Sequence, residues 1–450
     1  MMDAPEEVKE NLPEIIAETQ PEEPQAPTRK KLPPLWRNRD YMLLWSGQVV
    51  SVMGGGIAGL AFPLLVLALT DGDYAAAGFA GALGGLPYLI FSLPVGALID
   101  RWNRKQVMIL CDIGRALSAA SIPIALYFDV LTVWQLFANA FIEGTLFVFF
   151  NIAEVAALSR VVAKEQLPQA TAQNEAGFIA TGLAAPPLGG FLFQLSRGLP
   201  FLFDAISYAG SVISLLFIKT TFQGERTKVD RNLRREIGEG LRWLWGHPLI
   251  RYMAFLTGGS NFIYAGIDLI LIVLAQNLLG VPGTEVSEIG PEIGLIFSIG
   301  AIGGIVGSVI GGQIQKRFTF GQVIIGVMWF QVLIFPLFAV APHIIVLGII
   351  AAFSFMTSPI YNVVQFSYRI SIIPEQLQGR VNSTFRLVAF GFQPIGAALC
   401  GILLQWVGIL PTLAFYSLVL ISLAVLTTAN SHVRNARPIT ELASAQSTSH

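Results

Sequence analysis

Ionisable side chains recur inside long apolar runs of this chain. Asp112 and Arg115 lie three apart, Glu143 and Glu154 share the next run, and Asp204, Asp268 and Arg386 follow. A charge at bilayer depth is costly, so each such group is a functional hypothesis with a partner to be found. At about 1.5 Å of rise per residue, Glu143 falls near the middle of its run, with Arg115 at a comparable depth in the run before. Pairing of Arg115 with Glu143 is feasible because the two runs are consecutive. Asp112, on the same helix face as Arg115, competes for it. A buried acid of this kind can take up a proton on one side of a membrane and release it on the other. Glu143 is the first candidate for proton coupling, with Asp268, Asp112 and its neighbour Arg115 behind it. Asp204 and Asp268 are placed nearer one end of their runs, Arg386 and Glu154 nearer the other.

The elements that must carry these groups follow from composition. The 450 residues are 54% hydrophobic and only 13% charged, and the mean hydropathy is +0.63. Apolar stretches of about 20 residues, nearly free of charge, read as membrane-spanning helices. They recur along the whole chain, so the sequence predicts an all-α membrane protein of about twelve transmembrane helices. Short alternating strands, the mark of a membrane barrel, are not the pattern.

Lys and Arg give the orientation. Arg37, Arg39, Arg101, Arg104, Lys105, Arg160, Lys164, Lys316, Arg317, Arg380 and Arg434 all fall on one side of this layout. The other side has Arg197 with Asp71, Asp73, Asp129, Glu285, Glu288 and Glu292. The basic side, with both termini, is expected to be cytoplasmic. The helices divide six and six around a charged loop. The expected units are an acidic tail over 1–34, a six-helix bundle over 35–218, a cytoplasmic loop over 219–248, a second six-helix bundle over 249–430, and a tail over 431–450. The acidic tail is expected to be disordered and lacks the basic start and apolar core of a signal peptide.

A weak internal repeat agrees with two related halves. "AKEQLPQA" at Ala163 is similar to "IPEQLQGR" at Ile373, "PPLGG" at Pro186 to "QPIGA" at Gln393, and "GALIDRWNRK" to "GGQIQKRF" at Gly311. Two pseudo-symmetric bundles place a substrate path between them. Other classes lose support. Cys111 and Cys400 sit in apolar runs as packing residues. The four histidines are scattered, and neither HExxH, GxxxxGK[ST] nor GxSxG occurs. No metal, cofactor or enzymatic activity is expected.

The loop "GALIDRWNRKQV" carries a sharper pattern. Gly96, Asp100, Arg101, Arg104 and Lys105 fit G-x-x-x-D-R-x-G-R-K, with Asn103 where a second glycine would stand. Asn is the best substitute where a turn needs positive φ, and Gly96 would permit close helix contact. Asp100 at a helix C-terminus is disfavoured by the dipole and needs a cationic or helix N-terminal partner. This pattern resembles the signature loop of the major facilitator superfamily. "LWRNRDYMLLWSGQVVS", "AKEQLPQATAQN" and "FDAISYAGSVISL" are similar to its bacterial drug- and siderophore-exporter branch, which includes macrolide-efflux and enterobactin-exporter proteins. The resemblance implies the major facilitator fold and a gating role for the loop cluster. "APPLGG" is similar to the end of the family's antiporter motif, with Ala185 in place of one glycine and Thr181 in place of another. Pro186, Gly189 and Gly190 are expected to give that helix a bend.

Gln48, Asn139, Asn261, Tyr264, Tyr361, Asn362, Gln365 and Gln393 are the amide and tyrosine candidates for lining a substrate cavity. The expected function is proton-coupled efflux of a hydrophobic or amphipathic organic compound by alternating access. A proton-coupled importer, an uncoupled facilitator and, more remotely, a lipid flippase remain alternatives. The expected partners are protons, an organic small molecule and the lipid bilayer, without nucleic acid, and the expected state is a monomer.

Overall fold

The computed structural model describes residues 33–99, 101–223, 233–281, 285–374 and 377–436. The first half comprises α1 (Arg39–Leu69), α2 (Tyr74–Ile99), α3 (Arg104–Tyr127), α4 (Val133–Val161), α5 (Leu167–Leu195) and α6 (Leu199–Phe217). Next comes α7 (Leu233–Gly246). The second half comprises α8 (Pro248–Tyr264), α9 (Ile267–Leu279), α10 (Gly290–Arg317), α11 (Phe320–Ile334), α12 (Ile344–Ile372), α13 (Gln378–Gly391), α14 (Gln393–Val407) and α15 (Ile409–Ala429), followed by α16 (Ser431–Arg434).

Among the described residues, twelve helical segments are long and apolar enough to cross a membrane. Two of the second-half spans are interrupted. α8 and α9 together make one span, parted at Ala265–Gly266, and α13 and α14 another, parted at Phe392. α7 is an element that the apolar runs do not announce. It is amphipathic, and its Glu239 pairs with Arg380 of α13.

Local chemistry sets the helix starts. Asn38, Asn103, Thr132 and Thr319 each accept a backbone N–H of the first turn, as side-chain caps do. Asn103 has φ −71°. The expected positive φ is therefore absent, and Asn stands there as the N-cap of α3. Asp71 and Asp129 adopt positive φ in tight turns, where Asp is tolerated better than most residues.

The charged loops divide the molecule into a basic end, carrying Arg101, Arg104 and Lys105, and an acidic end, carrying Asp71, Asp129 and Glu288. At the acidic end one apolar core joins the halves, with Leu64 and Leu67 of α1, Ile270 and Leu274 of α9, Ile293 of α10 and Leu404 of α14 in it. At the basic end the cores are separate. One is built from residues such as Tyr41, Met108 and Ala157 of the first half, the other from Ile250, Phe320 and Phe385 of the second.

Two hydrogen bonds across the halves fall on the acidic side too, while Arg386 of α13 lies over the Tyr88 ring of α2 nearer the basic side. Gln405 accepts from the Tyr74 amide at 2.8 Å, and Gln194 donates to the Glu288 carbonyl at 3.1 Å. Along α5 and α10 the backbones themselves touch: a Cβ added at Gly190 would collide with the Gly290 carbonyl, and one at Gly290 with that of Gly190. Small residues permit such approach, and in a bilayer close packing substitutes for the hydrophobic drive. The molecule is thus closed at the acidic end and parted at the basic end.

Two adjacent glycines of α10 isolate this packing. A Cβ at Gly303 would strike the Ala352 carbonyl of α12, whereas one at Gly304 would meet nothing within 4 Å. Gly303→Ala is expected to lose about 1–3 kcal/mol through overpacking. Gly304→Ala is expected to be neutral or to gain up to about 1 kcal/mol. Unfolding of the two variants in detergent checks this order, and equal effects would refute the packing argument.

Candidate functional site

A cavity of about 690 Å³ lies between the halves, lined largely by the first half. The second half contributes Ala265, Asp268, Leu269 and Ala397. α3, α4 and α6 bring an ionic cluster to its wall. Arg115 points its Nε and Nη2 at the same Glu143 oxygen, Oε1, each at 2.7 Å. Tyr208 of α6 donates its hydroxyl to that oxygen, also at 2.7 Å. Arg115 lies over the Tyr208 ring at 4.1 Å and against Phe147 and Phe150.

The two oxygens of Glu143 therefore differ. Oε1 is pinned by a guanidinium and a phenol, while Oε2 has no protein partner among the described residues. The side chain keeps 36% of its surface open, toward the cavity that it lines. Asp112 is fully buried, its Oδ1 3.8 Å from Arg115 Nη1. Neither Asp112 oxygen accepts a hydrogen bond among the described residues. One guanidinium thus stands between two carboxyl groups, close to one and in reach of the other. Asp204, 4% exposed, lies on the same wall and accepts from Ser207 at 3.4 Å.

Asp268 stands in the first turn of α9, just past the break in its span, and faces the cavity. It lies on the acidic-end side of the middle of its span, as expected, and shares the chamber with Glu143 and Arg115.

The amide and tyrosine candidates divide. Gln48 and Asn139 line the cavity, though Asn139 spends its amide on the Ser118 carbonyl and Ser121 of α3. The second-half candidates do not line it. Asn261 donates to the Ala389 carbonyl, and the Tyr361 and Thr257 hydroxyls pair at 2.7 Å. Tyr264 joins Gln331, Ser354 and Thr357 in a buried network. Gln365 is buried, Asn362 is exposed beside Ser358, and Gln393 is exposed at the start of α14. Asn261, Tyr264 and Tyr361 tie helices of the second half to one another, and the second-half residues beside Asp268 on the cavity wall are Ala265, Leu269 and Ala397.

The loop cluster is also placed differently from its expected bridge. Asp100 lies outside the described residues. Arg104 donates to the carbonyls of Ala156 and Phe222, and Lys105 to that of Ile218 at 2.7 Å. These bonds fasten the ends of α4 and α6 within the first half. Arg101 is exposed. A Cβ at Gly96 would meet nothing within 4 Å, because the basic ends are parted, so the expected close helix contact is absent here. α5 runs without interruption through Pro186 and Pro187. Gly189 lets its backbone approach the Ile57 carbonyl of α1, and Gly190 that of Gly290. These glycines act in close packing, with no break in the helix.

Tyr208 and Arg369 are functional-looking groups that the sequence does not single out. Tyr208 lies four residues after Asp204 and so on its face. That spacing is the available signal. Arg369, 5% exposed, stacks on Phe385 at 4.0 Å inside the second half. Among the described residues no group of three or more His, Cys, Asp or Glu side chains could hold a metal ion.

Two six-helix halves about a central chamber, with charge held at membrane depth, define a multi-pass membrane transporter. The sequence model of the Major Facilitator Superfamily matches residues 44–397, and the chain belongs to that family. It is 27% identical to the multidrug efflux pump Tap of Mycolicibacterium fortuitum over 402 residues, 85% of this chain and 94% of that protein. It is 24% identical to macrolide efflux protein A of Streptococcus pyogenes, over 83% of this chain and 91% of that one. The enterobactin exporter EntS of Salmonella typhi is 26% identical, over 80% and 84%. Among solved structures, the nucleoside transporter NupG superposes with a TM-score of 0.69 at 15% identity, covering 88% of this chain and 100% of that one.

The cluster makes a stability prediction. Arg115→Met leaves Asp112 and Glu143 without their cation and is expected to cost about 3–5 kcal/mol. Arg115→Met combined with Glu143→Leu is expected to recover a large part of that loss. Thermal unfolding of both variants in detergent tests the coupling, and additive losses would contradict it.

Proposed function

We propose that the protein is a secondary exporter that moves a hydrophobic or amphipathic organic compound outward while protons flow inward. The observation that carries this reading is a large chamber between the halves whose wall holds a half-open carboxylate paired with one guanidinium. The relatives named for efflux support the direction. The segregation of Lys and Arg puts the basic end and both termini in the cytoplasm. The described state is then the inward-facing one, with the acidic end sealed.

Glu143 is the coupling group in this reading. Its free Oε2 exchanges protons with whichever side the cavity faces. Protonation weakens its hold on Arg115, and the guanidinium turns toward Asp112, 3.8 Å away in the described state. Re-ionisation restores the first pairing. Arg115 thus acts as a charge shared between two acids, and the proton decides its position. One charge moved through the membrane potential supplies about 2.3 kcal/mol per 100 mV. The loop cluster of Gly96, Asp100, Arg101, Arg104 and Lys105 closes the basic end in the opposite state; Gly190, against Gly290, serves the packing that changes as the halves rock, and Gly189, against Ile57, the packing of α5 on α1.

Purified protein in liposomes, under an imposed pH gradient and with a panel of dyes, macrolides and siderophores, tests this. The wild type is expected to move substrate against its gradient. Glu143→Gln is expected to abolish that movement, by a hundredfold or more, while substrate binding and folding persist. Movement that ignores both the gradient and the substitution would make the protein a facilitator and leave Glu143 as a structural ion-pair partner.

A further inference from the structure

Four side chains on the cavity lining can carry charge: Arg115, Glu143, Asp204 and Asp268. Three are acids and one is a base, a formal balance of two negative charges. The base is already engaged, bonded to Glu143 at 2.7 Å and stacked on Tyr208. Neither lysine nor histidine is on the lining. Asp204 has a local donor in Ser207. Asp268 differs. It is open to the cavity, and no hydrogen bond or ion pair involves its side chain among the described residues. Its place in the first turn of α9 lets the helix dipole tolerate the anion without a side-chain partner.

The rest of the wall is aromatic and apolar. Phe62, Phe147, Phe150, Phe178, Phe201 and Tyr208 line the chamber. Ring faces attract cations, more strongly where water is excluded. A further unpartnered polar group lies on the lining: Thr181, 3% exposed, has an Oγ1 that bonds nothing among the described residues. An anionic ligand entering here would meet carboxylates on both halves, and its one counter-ion is occupied. A lipophilic cation would find a vacant carboxylate on one wall and rings around the others.

Resting on the export reading of this same cavity, we infer that the chamber selects lipophilic monocations, whose charge pairs with Asp268 while the aromatic rings enclose the apolar body. Asp268 is thereby a substrate-recognition residue, and Glu143 keeps the proton. The two acids divide the work by geometry: one is pinned to an arginine, the other faces the chamber alone.

The experiment is equilibrium binding of two probes of matched shape and opposite sign, tetraphenylphosphonium and tetraphenylborate, to the full chain in detergent. Wild type is expected to bind the phosphonium at least about tenfold more tightly than the borate, as a charge-assisted contact warrants. Asp268→Asn should lose about tenfold in phosphonium affinity and leave the borate nearly unchanged, and Asp268→Glu should restore most of it. Equal or preferential borate binding by the wild type overturns the inference without any variant. Phosphonium affinity unchanged in a folded Asp268→Asn protein overturns the assignment to Asp268. Phosphonium selectivity that Asp268→Asn removes, in protein that shows no gradient-driven movement in liposomes, upholds the recognition site while the export reading fails.

Discussion

A guanidinium at membrane depth must have company, and much of the first half is arranged to supply it. Arg115 cannot be hydrated by bulk water where it lies, so the helices beside it provide what water would. α4 offers a carboxylate, α6 a phenol ring and hydroxyl, and α3 a second carboxylate one turn away. The cost of an unpaired buried charge makes this set nearly obligatory. It also makes the set responsive, because a proton on one carboxyl group changes which partner the cation prefers.

The closed end of the molecule depends on a different constraint. Lipid is as apolar as leucine, so the halves gain little from simply hiding hydrophobic surface. They gain from close contact, and glycine permits it. Gly190 and Gly290 bring two backbones together at the acidic end, where one core is shared. At the basic end the same two halves keep separate cores. An interface that is tight at the acidic end and reduced toward the basic end, where Tyr88 still meets Phe390 and Arg386, suits rigid-body rocking about a central site.

The chamber is unequal. The first half supplies most of its surface and nearly all of its polarity, while the second presents one carboxylate among small residues. Asn261 and Gln331 of the second half join its own helices, Gln331 in a network with Tyr264, Ser354 and Thr357. Polar side chains in membrane helices serve as adhesive as often as they serve as ligand contacts. The lone Asp268 stands out against that background.

Much of this protein was legible in one dimension. Twelve spans followed from apolar length, and the Arg115–Glu143 pairing from depth along consecutive helices, with Asp112 left as a rival that the structure keeps at second distance. Other features needed the third dimension. Many of these helices are apolar on every side, so sequence does not say which face meets a cavity and which a neighbour. That is why Asn261, Tyr264 and Tyr361 read as cavity groups but bind neighbouring helices, and why the depth of Asp268 along its run does not say that it faces the chamber. Asn103 read as a turn residue because Asn serves both turns and caps, and only backbone geometry separates the two. Composition and periodicity determined what must cross the membrane and which charges needed partners. Packing decided which partners they found, because the choice depends on distances between helices that are far apart in the chain.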